Sequence, residues 1–289
     1  MAKLVFGCGY LGHRVAEHWQ QHADVYVVTR SPERARRLNE QGFRPLVGDI
    51  TESWVCPNLP PLETVLFSVG FDRDSGKRIQ EVYVGGLRRV LDQLPDQVGQ
   101  FLYVSSTGVF GQSAGESVNE QSPCQPTREG GRACLEAEQL LAAHPLGPRA
   151  TILRLAGIYG PGRIPKLDEI RAGLPIGADA DAWLNLIHVE DAVEVILKAE
   201  ERAQSPNMYV VSDGNPVLRR DFYEHLARLV GAPRPAFEIP AATTNTRGGG
   251  DKRVNPAKMM RELQPTLKYP TFREGLAQIV AAAGTSSAS

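Results

Sequence analysis

Lys3-Leu-Val-Phe-Gly7-Cys-Gly9-Tyr-Leu-Gly12 is the stretch on which the reading of this chain turns. An apolar run of strand composition ends in glycines spaced G-x-G-x-x-G, and Leu11 to Gln21 then reads as an amphipathic helix. In such a strand–turn–helix, Gly7 permits a tight turn and Gly9 lets a phosphate approach the backbone. Gly12 lets the helix pack closely on the strand. The helix start adds unpaired N–H groups and the positive end of its dipole. The context predicts a seat for the pyrophosphate of a dinucleotide, with Tyr10 and Leu11 beside the glycines.

Outward from this turn the chain alternates short apolar runs with longer amphipathic ones. Strands are predicted at Asp24–Val28, Arg44–Val47, Thr64–Val69, Gln100–Val104, Ala150–Leu155 and Met208–Val211. Helices are predicted at Pro32–Gln41, Lys77–Leu94, Glu129–Ala143 and Arg219–Val230. Strands separated by helices imply right-handed crossovers and a sheet covered on both faces. The expected fold is α/β, a Rossmann-type doubly wound parallel sheet with a smaller C-terminal substrate lobe. Residues 1–162 are assigned mainly to the nucleotide-binding domain and 163–283 mainly to the lobe. Asn185–Asp191 and Met208–Val211 are expected to return to the sheet domain. Residues 111–128 read as a loop, Thr243–Asp251 as a mobile loop, and 284–289 as a flexible tail.

The 289 residues carry 32 basic and 33 acidic side chains, a net charge of −1. That balance argues against nucleic acid or an anionic membrane as partner. Cys8, Cys56, Cys124 and Cys134 form no C-x-x-C pair, so neither a metal site nor a disulfide framework is expected. With no apolar leader and no run of membrane-spanning length, the expectation is a cytoplasmic protein.

The end of the second strand bears on which dinucleotide is bound. An NAD site usually places Asp or Glu there to accept the ribose hydroxyls. Here the residues are Thr29-Arg30-Ser31, with Arg34 one turn on. Arginine leaves the diol without an acceptor but grips a 2′-phosphate, so NADP is favoured over NAD.

With these residues in hand, the chain resembles the extended short-chain dehydrogenase/reductase superfamily, the NAD-dependent epimerase/dehydratase group. The resemblance rests on the glycine turn, Gly48-Asp-Ile50, Ser68-Val-Gly70, Val104-Ser-Ser-Thr-Gly-Val-Phe-Gly111, Leu153-Arg-Leu-Ala-Gly-Ile-Tyr-Gly-Pro-Gly162 and Asn185-Leu-Ile-His-Val-Glu-Asp191. It implies that Asp49 and Ile50 contact the adenine and that Ser68, Val69 and Gly70 lie along the cofactor, as does Ser105. It places Ser106 at the catalytic Ser/Thr position and Thr107 beside the substrate. The implied chemistry is hydride transfer, as an oxidoreductase or isomerase, on a small polar metabolite such as a nucleotide sugar. Relatives often pair as homodimers, here through Arg78–Leu94 and Glu129–Leu141.

The resemblance breaks at the family's Tyr-x-x-x-Lys. The helix that carries it here begins Arg128-Glu-Gly-Gly-Arg132, which puts arginine at both positions. Arg128 stays protonated and cannot be a general base, whereas Arg132 can still donate to the nicotinamide ribose. This marks an atypical subgroup with the proton carrier missing. Tyr159 is the candidate replacement. His188 reads as a structural element that pins backbone between lobes, and Tyr83 as a core aromatic. Arg163 with Lys166, and Lys252 with Arg253, are expected to converge on one crevice and suit a diphosphate or carboxylate, with Trp183 and Asn185 in the same pocket. The alternative is a non-catalytic NADP-binding sensor.

Overall fold

A computed structural model describes residues 2–52, 54–95, 97–238 and 250–286. The first half follows the predicted alternation: β1 (Ala2–Phe6), α1 (Gly12–Gln20), β2 (Asp24–Thr29), α2 (Pro32–Glu40), β3 (Arg44–Val47) and β4 (Leu62–Phe67). A π turn at Glu81–Gly85 leads into α3 (Gly86–Gln93), followed by β5 (Val98–Ser106), β6 (Glu116–Val118), α4 (Glu129–Ala143) and β7 (Ala150–Leu155). The second half is built of shorter pieces. These are β8 (Gly157–Tyr159), α5 (Leu167–Arg171), β9 (Trp183–Leu184), β10 (Leu186–His188), α6 (Val189–Arg202), β11 (Asn207–Val211) and β12 (Val217–Leu218). Then come α7 (Arg219–Leu229), β13 (Lys252–Val254), α8 (Ala257–Leu263) and α9 (Phe272–Ser286).

Seven strands form one parallel sheet in the order β11-β7-β5-β4-β1-β2-β3. The chain steps outward from β1 to β3, then returns to the other side of β1 as β4. Strand order reverses at that seam, which opens a crevice at the strands' carboxyl ends. Both faces are covered, so the strands are apolar on both sides. Val15 and Trp19 of α1, Val193 and Ile196 of α6 and Met259 of α8 pack on one face. Leu87 and Val90 of α3 and Ala137 and Leu141 of α4 pack on the other. Each such side chain, fully buried, contributes about 1.5–3 kcal/mol. A separate cluster around Ile170, Ile176, Phe222, Leu226 and Leu276 fills the space beneath α5, α7 and α9. One tie between the two parts is polar: the Asp191 carboxylate, at the start of α6, accepts the backbone N–H groups of Lys268 at 2.7 Å and Tyr269 at 3.0 Å.

Two expectations change. The loop at 111–128 contains β6, which runs parallel to β13 with Glu116 opposite Lys252. Gly284–Ser286 belong to α9 rather than to a tail, and 287–289 lie outside the described residues. Of the Thr243–Asp251 loop, 243–249 lie outside the described residues, and Gly250 and Asp251 lead directly into β13. Among the described residues the exposed large apolar side chains are Val47, Val55 and Leu174, none of them on the helices expected to pair in a dimer. No helix among the described residues is long and apolar enough to cross a membrane.

Candidate functional site

The glycine turn sits at the seam between β1 and β4. Gly7 has φ +83°, and a Cβ there would stand 2.5 Å from the carbonyl of Ser68, so only glycine fits. Gly12 is equally closed in, with a Cβ meeting the Gly7 carbonyl and the Ser68 hydroxyl. Gly9 is the opposite: the nearest atom to a Cβ is 4.0 Å away. The turn is therefore tight where the protein touches itself and open where a ligand would arrive. The first turn of α1 has no acidic residue and no side-chain cap, which leaves N–H groups for an anion. Leu11 buries its side chain in the core, so only its backbone can serve a ligand. Ser68 donates its hydroxyl to the carbonyls of Gly7 at 3.1 Å and Phe6 at 3.3 Å. It thus holds the turn, while Val69 is half-buried and Gly70 faces open space.

Around the turn the cations are already organised. Arg34, on α2, donates to the carbonyl of Cys8 within the turn itself. Arg30 is exposed at the end of β2, 3.4 Å from Asp72. At the end of β3, one oxygen of Asp49 accepts the backbone N–H of Thr51 at 2.8 Å and its hydroxyl at 2.7 Å. Ile50 is buried against Gly86. Tyr10 reaches across to the lobe and donates to the carbonyl of Pro161 at 3.1 Å. Its ring has the guanidinium of Arg14 at 4.5 Å and that of Arg163 at 5.3 Å.

The end of β5 separates two adjacent serines by side. Ser106 accepts the N–H of Gly108 at 3.0 Å, capping a short turn at Thr107–Val109. That leaves its hydroxyl proton free to point outward, beside a half-buried Thr107. Ser105 points inward. It is buried, and its hydroxyl donates to Glu138 at 2.6 Å, which is at odds with cofactor contact. Glu138 in turn binds Arg154 through both oxygens, with a shortest approach of 2.6 Å. Glu138 follows from α4's buried face, made of Gly131, Ala133, Cys134, Ala137, Glu138 and Leu141. Arg132 falls on the other face. It is exposed and donates to the carbonyl of Thr127 at 2.7 Å. A helix turns 100° per residue, so Arg132 and Glu138 lie on different sides of α4.

Tyr159 also departs from expectation. It has no exposed surface, packs against Gly275 of α9, and faces the backbone carbonyl of Thr271 at 3.5 Å. Burial, then the carboxylates of Asp213, Asp191 and Glu274, push its hydroxyl far above the ordinary tyrosine range. Among the described residues the main influences on it are burial and carboxylates, and its ring serves as packing for α9. His188 caps α6, its Nδ1 accepting the N–H of Glu190 at 3.2 Å. Burial lowers its pKa to about 4, so it is neutral at pH 7. Tyr83 accepts the N–H of Phe71 at 3.2 Å and packs edge-on to that ring.

The two expected basic pairs occupy different neighbourhoods. Arg163 is beside Tyr10 at the glycine turn, and Lys166 pairs with Glu169 at 2.7 Å. On β13, alternation sends Arg253 outward over Trp183, at 5.6 Å, and Lys252 inward. Asn185 spends both ends of its amide on this strand, donating to the carbonyl of Lys252 at 2.8 Å and accepting from Val254 at 2.7 Å. It positions the backbone that carries Lys252. The Lys252 ammonium donates to the carbonyl of Phe110 at 3.2 Å, four residues beyond Ser106. Arg219, the first residue of α7, is 4% exposed and donates to the carbonyl of Gly250 at 2.8 Å. Sequence reading passed over Arg219, because Arg219 and Arg220 look alike until the fold buries one and exposes the other.

The comparisons with known proteins agree with this geometry. A family model described as "NAD dependent epimerase/dehydratase family" matches residues 4–212. "Protein YeeZ" of Escherichia coli K12 is 30% identical over 191 residues, which is 66% of this chain and 66% of that protein's length. A functionally unknown conserved protein from Silicibacter pomeroyi has 29% identity and a TM-score of 0.79, covering 98% of this chain and 99% of that one. A UDP-glucuronic acid 4-epimerase from Bacillus cereus, solved with NAD and UDP-4-deoxy-4-fluoro-glucuronic acid, shares only 16% identity and so speaks for the fold. Its TM-score is 0.79, with 98% of this chain and 100% of that one covered. On its turn, its sheet and this match, the chain belongs to the NAD-dependent epimerase/dehydratase family of extended short-chain dehydrogenases/reductases.

Proposed function

We propose that the chain binds NADP and catalyses reversible hydride transfer on a small polar metabolite of the nucleotide-sugar kind, as an epimerase, dehydratase or reductase. The observation that carries this reading is the glycine turn: closed at Gly7 and Gly12, open at Gly9, at the seam of the sheet. Its backbone at Gly9, Tyr10 and Leu11 would hold a pyrophosphate, and Asp49, Ile50, Val69 and Gly70 would flank the rest of the dinucleotide. Arg34 and Arg30 supply the positive charge for a 2′-phosphate where an NAD site would present a carboxylate. When bound, the nicotinamide supplies a two-electron acceptor or donor.

Among the chain's own residues, Ser106 accepts the Gly108 N–H and keeps its hydroxyl proton to donate, so it would polarise a carbonyl oxygen in the crevice. Thr107 and Trp183 line the approach. A second reading, a non-catalytic NADP sensor, is favoured by the missing Tyr-x-x-x-Lys and by the burial of Tyr159. Titration with NADPH and NADH, read by nicotinamide fluorescence, tests the shared premise. Tighter binding of NADPH is expected, weakened about tenfold by Arg30→Asp, roughly 1.4 kcal/mol. Equal affinity for both nucleotides would remove the NADP assignment. Turnover of bound NADPH in a substrate screen separates the enzyme from the sensor.

A further inference from the structure

Lys252, Arg128 and Arg219 come from three separate elements, β13, the start of α4 and the start of α7, yet they meet: Arg219 donates to the carbonyl of Gly250 at 2.8 Å, the Lys252 ammonium lies 3.0 Å from where a Cβ at Gly250 would stand, and the charge of Arg128 reaches both. Lys252 is 9% exposed and Arg219 is 4% exposed. Burying a cation costs several kcal/mol unless an anion or a full set of acceptors compensates it. Among the described residues, Lys252 has the Phe110 carbonyl and no carboxylate. The charged groups among the described residues that act on it are both cations, Arg128 and Arg219. Burial first, and then those two charges, lower its pKa. The nearby acids Asp179 and Asp251 act on Arg219, and one Asp251 oxygen is already taken by the backbone N–H of Trp183 at 2.9 Å. The segment 239–249 contains no Asp or Glu that could supply the counter-charge.

Asn185 fixes the backbone that presents Lys252, so the arrangement is built and held. Its position is specific too. The Phe110 carbonyl that Lys252 touches ends the turn opened by Ser106, whereas the glycine turn has its own cations, Arg34 and Arg163.

We propose that Arg128, Arg219 and Lys252 form an oxyanion subsite, separate from the dinucleotide seat, that receives a carboxylate or phosphate at the reacting end of the substrate. This rests on the hydride-transfer reading above and narrows it: the substrate is an acid at the end that meets Ser106, as in a sugar acid, a hydroxy acid or a phosphate monoester. Ammonium and guanidinium groups together suit an oxyanion, one as a point charge and two as planar donors.

The test is calorimetric titration of the whole chain with inorganic phosphate and with malonate at constant ionic strength, with and without saturating NADP. Saturable 1:1 binding of at least one anion is expected, persisting when cofactor fills the glycine turn. Preference for phosphate or for malonate distinguishes the phosphate ester from the carboxylic acid. Lys252→Met is expected to weaken binding tenfold or more with NADP affinity unchanged. Arg128→Gln, at a half-exposed position that the fold tolerates, is expected to weaken it several-fold. Absence of binding by both anions, or binding indifferent to both variants, would overturn the subsite. Failure of NADP to bind while the anion still responds to Lys252→Met would instead sink the hydride-transfer reading and leave the subsite standing.

Discussion

Arg154 and Lys252 both touch Phe110, one with its guanidinium 5.2 Å over the ring and the other at the carbonyl oxygen. Both are buried, at 4% and 9% exposure. Arg154 meets Glu138 in a bidentate pair that Ser105 completes. Burial alone would lower its pKa, but the Glu138 carboxylate outweighs burial and raises it. Lys252 meets a carbonyl and two other cations, and its pKa falls. The difference teaches which charge belongs to the scaffold. Arg154 is neutralised within the fold, where it locks α4 to β7 behind the Ser106 turn. Lys252 is left for something from outside to neutralise.

The largest expected effect comes from breaking the neutralised pair. Glu138→Gln leaves Arg154 buried without a counter-charge and should cost about 3–5 kcal/mol in urea denaturation. The double change Glu138→Leu with Arg154→Met should recover most of that loss, since removing both charges removes the penalty. A single variant that loses less than about 1 kcal/mol would mean that water or local rearrangement compensates Arg154, and the contrast with Lys252 would collapse.

A third buried charge sharpens the contrast from the acidic side. Asp213 is 4% exposed, and burial raises its pKa to about 7 against the pull of the Asn215 N–H, with Asp191 and Glu274 adding repulsion. Its folded pKa lies above its unfolded value of 3.8, so the fold favours the protonated form. That contribution is fully present below about pH 4 and is lost as pH rises through about 7. Asp213→Asn keeps an acceptor for Asn215 and removes the charge. Thermal melts should show no difference near pH 4 and a gain growing to about 2–4 kcal/mol above pH 7. Parallel curves for wild type and variant would show that Asp213 finds a partner on ionisation.

Much of this architecture was legible, because strands covered on both faces are apolar throughout and the glycine spacing is dictated by sterics at Gly7 and Gly12. The boundaries of β3, α4 and β7 coincide with the runs read from composition. What escaped was direction. Ser105 and Ser106 differ only in which side of β5 they occupy, and Arg132 and Glu138 only in their angle around α4. Helix α6 carries buried Val189, Ala192, Val193, Ile196 and Ala199 at helical spacing, a periodicity that the Ile187-His-Val-Glu-Asp191 motif at its start obscures. Lys252 and Arg253 were named as a pair, yet no sequence rule says which of two adjacent basic residues a three-residue strand turns inward until β6 pairs with it.

The smallest effect is expected at Lys252 itself, and its sign is what matters. An apolar side chain of similar length fills the same space without the desolvation penalty, so Lys252→Met should leave stability unchanged or raise it by about 1 kcal/mol at pH 7. The folded pKa of Lys252 lies below the unfolded value of 10.5, so the fold favours the neutral amine. The penalty is therefore fully in place below the folded pKa and fades as pH rises through it, so the two melting curves should meet above 10.5. Added inorganic phosphate or malonate should reverse the order near pH 7 by raising the melting temperature of the wild type and not that of the variant. A clear loss of stability in Lys252→Met without any anion would mean that the ammonium is compensated inside the fold as Arg154 is. The two cations would then be alike, and β13 would hold a strut where the contrast with Arg154 places a ligand-binding charge.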